Sequence, residues 1–172
     1  MKIKLDWKLC IELIITTTLT FGLVFSYNSF LTSVPKSAQA NTFLEEQIFV
    51  EVNKIRVENN LPELKKNSQL QNAAKKKTVD MLSFKYFAHV GPFNKKWSDF
   101  IKDEGYDYIY AGENLAKDYE SSSEIIAAWV ESPSHKENIL NQEYVDTGIA
   151  VSFNRTDLSS GILVAQEFGK KI

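Results

Sequence analysis

His89 and His135 are the only two histidines in the 172-residue chain, so any imidazole chemistry rests on them. His89 stands in Phe87-Ala88-His89, just before Gly91-Pro92. Glu113 stands in Ala111-Gly112-Glu113-Asn114. Glu131 and His135 share the stretch Trp129-Val130-Glu131-Ser132-Pro133-Ser134-His135. Each falls at the boundary of an expected helix or strand, where rigid scaffold meets exposed loop, and such boundaries often carry sites. Two imidazoles and one carboxylate, with water in a fourth position, would suit zinc or another divalent cation. A carboxylate can instead orient each imidazole and tune it for proton transfer. The spacings, 24 residues from His89 to Glu113 and 22 more to His135, contain no His-Glu-x-x-His metalloprotease pattern. The plain alternatives are helix-end histidines bonded to backbone and a Glu113 that accepts from nearby amides.

Other chemistries are poorly supplied. The single cysteine, Cys10, lies in the N-terminal stretch, so neither a disulfide framework nor a Cys-His nucleophile is available to the rest of the chain. Ser132 and Ser134 flank Pro133 where caps are commoner than nucleophiles. Neither a Walker loop nor a dinucleotide glycine fingerprint is present. Tyr106, Tyr108 and Tyr110 could floor a peptide or lipid groove, or alternate between the two sides of a strand. Lys and Arg number 20 against 22 Asp and Glu, so there is no basic excess to point to nucleic acid. With 44% hydrophobic and 24% charged residues the composition is that of a globular domain, and the length suits one.

The elements that must position these residues begin after an address. Lys2, Lys4 and Lys8 precede a mostly apolar run from Leu13 to Phe25, and Ala38-Gln39-Ala40 has the small-x-small pattern of signal-peptide cleavage. The expectation is a signal peptide over residues 1–40 and a secreted or cell-surface domain over 41–172. The alternative is an uncleaved anchor, in which case the leader is the chain's membrane contact. The 41–172 stretch has net charge −4 and no cysteine.

Within it, Thr42-x-x-Glu45 reads as a helix start, followed by Leu44, Ile48, Val52 and Ile55 at helical spacing. A second helix is expected near Ser68-x-x-Gln71, with Lys75, Lys76 and Lys77 on its wet face. A short third helix holds Trp97, Phe100 and Ile101 and stops at Gly105. Tyr106 to Tyr110 reads as a strand or extended loop. Ser121-x-x-Glu124 caps a fourth helix, and Pro133 breaks it or starts a fifth through Leu140. Thr147–Phe153 and Ile162–Phe168 read as strands joined by a hairpin loop at Asn154-Arg155-Thr156-Asp157-Leu158-Ser159-Ser160-Gly161. Helices first and a hairpin last predict an α+β fold, an antiparallel sheet covered by helices.

Several stretches, taken in order, resemble the CAP superfamily, also called SCP-like, in its small bacterial exported form. The wider group holds cysteine-rich secretory proteins, insect venom antigens and plant pathogenesis-related proteins. The similar stretches are Asn53 and Arg56 with Leu61-Pro62; Leu70, Ala73-Ala74 and Asp80-Met81; Phe87-Ala88-His89 with Pro92; Gly105-Tyr106 and Gly112-Glu113-Asn114-Leu115-Ala116; Trp129 with Ser132-Pro133-Ser134-His135-Lys136-Glu137-Asn138-Ile139-Leu140; and Gly148-Ile149-Ala150 with Phe168-Gly169. Together they cover Leu44 to Phe168. The resemblance implies a three-layer α-β-α sandwich with one broad cleft, lined in the family by two His and two Glu and in some members holding zinc or another divalent cation. By motif these are His89, Glu113 and His135. Members with a complete set place the second Glu three residues after the helix tryptophan, where this chain has Ser132. Glu131, two residues after Trp129, is the nearest carboxylate, about 100° around a helix from that place.

Two functions are open at this stage. One is a non-enzymatic secreted binding module whose cleft engages a peptide, lipid or cell-envelope partner. The other is a metal-dependent hydrolase or peptidase in which His89 and His135 hold the ion and Glu113, with Glu131 as a further candidate, acts as base or orients water. A third, structural reading makes His89, Glu113 and His135 a hydrogen-bond network holding loops against the sheet.

Overall fold

Apolar periodicity assigns each helix a face, and the faces place the sheet. The structure, a computed structural model, describes residues 36–153 and 161–172, with side chains described from residue 39 onward. Most of the expected leader and of the expected hairpin loop lies outside the described residues. Helix α1 is Lys36–Glu58. Its Leu44, Ile48 and Val52 recur every four residues, share one face and are buried. The start expected at Thr42 falls inside α1, and Glu45 turns to accept from the Val151 amide at 3.1 Å.

Strand β1, Lys65–Lys66, leads to helix α2, Ser68–Phe84. Its cap is Asn67, one residue before the expected Ser68, with a side-chain oxygen that accepts from the Gln69 and Leu70 amides. A 3-10 turn, Pro92–Asn94, precedes helix α3, Trp97–Asp103, which Gly105 ends at φ +70°. Strand β2, Tyr108–Tyr119, carries the whole Gly112–Ala116 motif. Ser121 caps helix α4, Ser122–Glu131, by accepting from the Glu124 amide. Pro133 opens helix α5, Pro133–Ile139, where its missing N–H goes unneeded. Strands β3, Asp146–Phe153, and β4, Ile162–Lys171, complete the fold.

The sheet order is β1-β3-β4-β2. β4 pairs antiparallel with both β3 and β2, and β1 adds two residues parallel to β3, the one departure from the expected antiparallel sheet. One face presents Leu115, Ala150, Leu163 and Ala165 to Ala74 and Met81 of α2. The other presents Ala116, Ile149, Val151, Val164 and Phe168 to α1, α4 and α5 through Leu44, Ile48, Val52, Ile125, Trp129 and Ile139. The result is a mixed α-β-α sandwich, as the α+β reading expected.

Close approach of α2 depends on Gly148, where an added Cβ would stand 2.1 Å from the Leu70 carbonyl carbon and the Gln71 nitrogen. The sheet edges are finished by side chains. On β3, the Gln71 amide bonds both the N–H and the C=O of Ile149, Glu45 accepts from Val151 N–H, and Asn41 donates to Val151 C=O. On β2, the carbonyls of Ala111, Glu113 and Leu115 accept from Tyr144, Asn138 and Trp129. Backbone groups that would otherwise recruit another strand are thus occupied.

Candidate functional site

The β2 edge is where the sequence-predicted residues come into view. Glu113 lies in the middle of β2, not after a strand that ends at Tyr110. Its carbonyl turns outward to Asn138, so its side chain stands in a non-hydrogen-bonded cross-strand pair with Glu167 of β4. In such pairs opposing side chains are closest, with Cα atoms about 4.5 Å apart. Both carboxyls face α2, along the same row as Gly148.

His89 reaches this row from the loop after α2. Its Nδ1 is 2.6 Å from Glu113 Oε1. The His89 side chain is 52% exposed and that of Glu113 is 1% exposed, so a buried carboxylate aims a ring that opens to solvent. With Nδ1 engaged, Nε2 is the atom His89 offers outward, an acceptor when the ring is neutral and a donor when it is protonated.

Lys77 holds the His89 loop from below, and here the sequence expectation fails. The lysine expected on the wet face of α2 is fully buried. It stands four residues from Ala73 and from Met81, on the apolar stripe of its helix. Its ammonium donates to Ala88 C=O at 2.8 Å and His89 C=O at 3.3 Å, and it lies 5.0 Å from the Tyr86 ring centre. Burial lowers its pKa, and the Glu113, Glu167 and Asp80 carboxylates oppose that shift.

Glu167 is the residue sequence reasoning missed. It is fully buried, and neither carboxyl oxygen, nor Glu113 Oε2, has a hydrogen-bond partner of ordinary geometry. Burial, then the facing Glu113 charge, push its pKa well above the carboxylate range. Burial also raises Glu113, but the His89 hydrogen bond and the Lys77 charge hold it back. Glu167 is therefore the member of the pair that is harder to ionise. The signal was available: Leu163, Ala165 and Glu167 fall on one strand face by alternation.

His135 arrives from the other side of the sheet, on α5. Asn114 donates to its carbonyl at 3.1 Å, and its ring lies 6.5 Å from that of Trp129. Burial and then the charge of His89 lower its pKa, favouring the neutral imidazole. Glu131 is exposed at the last residue of α4 and does not join the His89–Glu113 pair. Among the described residues, no three His, Cys, Asp or Glu side chains are gathered to hold a metal ion. This donor arrangement does not fit a three-ligand zinc site.

The comparisons with known proteins agree with this architecture. The family model described as the cysteine-rich secretory protein family, CAP, matches residues 49–168. YkwD of Bacillus subtilis, named as uncharacterized, is 31% identical over 137 residues, 80% of this chain and 50% of that protein. YlbC of the same organism, named an uncharacterized membrane protein, is 29% identical over 67% of this chain and 34% of its own length. The chain thus spans half or less of the length of these relatives. Among solved structures, an extracellular SCP-domain protein of Bacillus anthracis is 27% identical, with TM-score 0.71, over 81% of this chain and 45% of that one. An outer surface protein of Borrelia burgdorferi shares the fold at 24% identity and TM-score 0.67, over 74% of this chain and 92% of that one. With its one cysteine at position 10, outside the matched region, this chain belongs to the CAP family.

Proposed function

We propose that the protein is a secreted or cell-surface binding module whose cleft at the β2 edge engages a peptide, lipid or other cell-envelope partner. The observation that carries this reading is the 2.6 Å His89–Glu113 pair, a buried carboxylate fixing a half-exposed imidazole. Such a ring is a pre-oriented hydrogen-bonding group, and holding it in place beforehand reduces what binding must order. Export rests on the leader pattern in residues 1–40 and on the extracellular and outer-surface descriptions of the two structural neighbours. Serine, threonine or cysteine activated by either histidine is absent from the described hydrogen bonds, which favours binding over nucleophilic chemistry.

A divalent ion enters this reading as something completed by the partner, with His89 and His135 as the protein donors. The test uses a detergent-solubilised cell-envelope fraction as probe. Wild-type protein is expected to retain a component that His89→Ala loses by about tenfold. Equal retention by the two proteins overturns the cleft as the binding site. Calorimetry with zinc chloride in the presence of the retained component is the second arm: heat lost in both His89→Ala and His135→Ala supports the ion, and no heat from wild type with that component removes it.

A further inference from the structure

We propose that the face built by the end of α2 and the following loop docks on an anionic lipid bilayer. This goes beyond the cleft reading and stands or falls separately from it. Phe93 is 93% exposed, and Val79, Phe84, Phe87 and Val90 beside it in sequence are each about half exposed. Phe84 and Phe93 meet edge to face with ring centres 6.2 Å apart. Val79, Phe84 and Phe100 line a groove of about 390 Å³ with Lys75, Lys76 and Lys95, and with Asp80 and Ser83.

The backbone holds this aromatic outward at a cost. Phe93 has φ 61° and ψ 23°, and Asn94 follows at φ 60°. A bulky residue in the left-handed region is an outlier that persists where the surroundings enforce it. Here the strain delivers a phenyl ring to water, which is itself unfavourable. Both costs are offset once the ring enters an apolar phase.

Charge selects the phase. Residues 75–104 carry seven lysines, of which Lys77 is buried, and four acidic residues, whereas the rest of 41–172 carries nine basic and sixteen acidic. Lys76 pairs with Glu104 and Lys95 with Asp103, while Lys75, Lys85 and Lys96 are exposed. A positive face with protruding aromatics on an otherwise acidic domain matches an anionic bilayer, where rings sit at the headgroup level and lysines meet the surface potential. A soluble polyanion would take the lysines and leave the rings in water. A second copy meeting this face by two-fold symmetry would set like charges against each other.

The test is flotation of the full chain with phosphatidylglycerol–phosphatidylcholine vesicles, compared with phosphatidylcholine alone. Wild type is expected to float with the anionic vesicles and to be released by salt. Phe93→Gly should weaken partitioning by about tenfold. It should also melt at or above the wild-type temperature, because glycine takes this φ without strain. Lost binding would then not be lost folding. Phe93→Trp should shift its added emission to the blue on anionic vesicles only. Equal flotation of wild type and Phe93→Gly, an unshifted emission from the introduced indole, or equal partition into neutral vesicles each overturns the proposal. So does binding of soluble polyphosphate that is as tight as vesicle binding, or a dimer that Phe93→Gly dissolves.

Discussion

Glu167 and Glu113 share one buried space, and Glu167 is the harder to ionise: burial and the Glu113 charge raise it, and although Lys77 acts on both, only Glu113 also has the His89 hydrogen bond. An unfolded glutamate ionises near 4.3. In the folded chain Glu167 keeps its proton well above that, so the folded state binds more protons than the unfolded one across that interval. Stability contributed by the neutral acid is therefore present below the unfolded value and is lost as pH rises toward the folded one. Glu167→Gln keeps the shape and cannot ionise. Its melting temperature should match wild type near pH 4 and exceed it at neutral pH, on the order of 5 °C. A gap that does not change with pH would mean Glu167 is charged in the fold. His135 offers a companion measurement. Its carbon-bound protons, followed by NMR, should titrate below the ordinary histidine value near 6.5. His89→Ala should move that midpoint upward without restoring it fully, since burial is its larger cause. Lys77 and Glu167 were both readable by period, each on the apolar row of its element, but a charge inside an apolar row is ordinarily assigned to solvent. The missing fact was the partner: loop carbonyls for Lys77 and the facing strand for Glu167.

Elements were legible where local chemistry ends them. Ser121 and Pro133 start their helices through their side chains, and Gly105 ends one through its freedom to take positive φ. β1 was not legible, because Lys65-Lys66 has neither alternation nor apolar content and is a strand only by pairing with β3. The extent of β2 was obscured because its outer carbonyls bond side chains of Trp129, Asn138 and Tyr144 rather than another strand. Those bonds are long-range in sequence and leave no periodic trace. The seating of α2 is the element-scale feature that sets the site, since the His89 loop follows directly from it. Gly148→Ala would place a methyl against Leu70 and Gln71 backbone, which cannot rotate away. Urea unfolding should show a loss of about 3 kcal/mol, at the upper end for overpacking. In whatever variant remains folded, a displaced α2 should also weaken the coupling between His89 and His135 seen by NMR.

Across the whole domain, the two helical layers are joined to the sheet by quite different means. The α2 side rests on a small apolar cluster and on the buried ionisable groups of Lys77, Glu113 and Glu167. The opposite side has the larger apolar cluster, and through it runs Arg56, fully buried with no carboxylate among its hydrogen-bond partners. Its guanidinium donates to four carbonyls: Pro62 at 2.9 Å, Ile139 at 2.8 Å, Asn141 at 2.9 Å and Tyr144 at 3.2 Å. These belong to the turn after α1, the end of α5 and the segment entering β3. The same α5 carries His135 and bonds the β2 edge through Asn138, so Arg56 holds α5, and His135 with it, from the far end of the helix. A lysine ammonium cannot span this planar fork. Arg56→Lys should therefore leave at least one of the four carbonyls unpaired and cost about 2 kcal/mol. The local consequence separates this from general weakening: amide exchange should speed most over residues 135–145, and the His135 titration should move toward the ordinary value as the end of α5 loosens. Unchanged exchange there, with equal stability, would show that α5 is held by its apolar contacts alone and that the placing of His135 does not depend on Arg56.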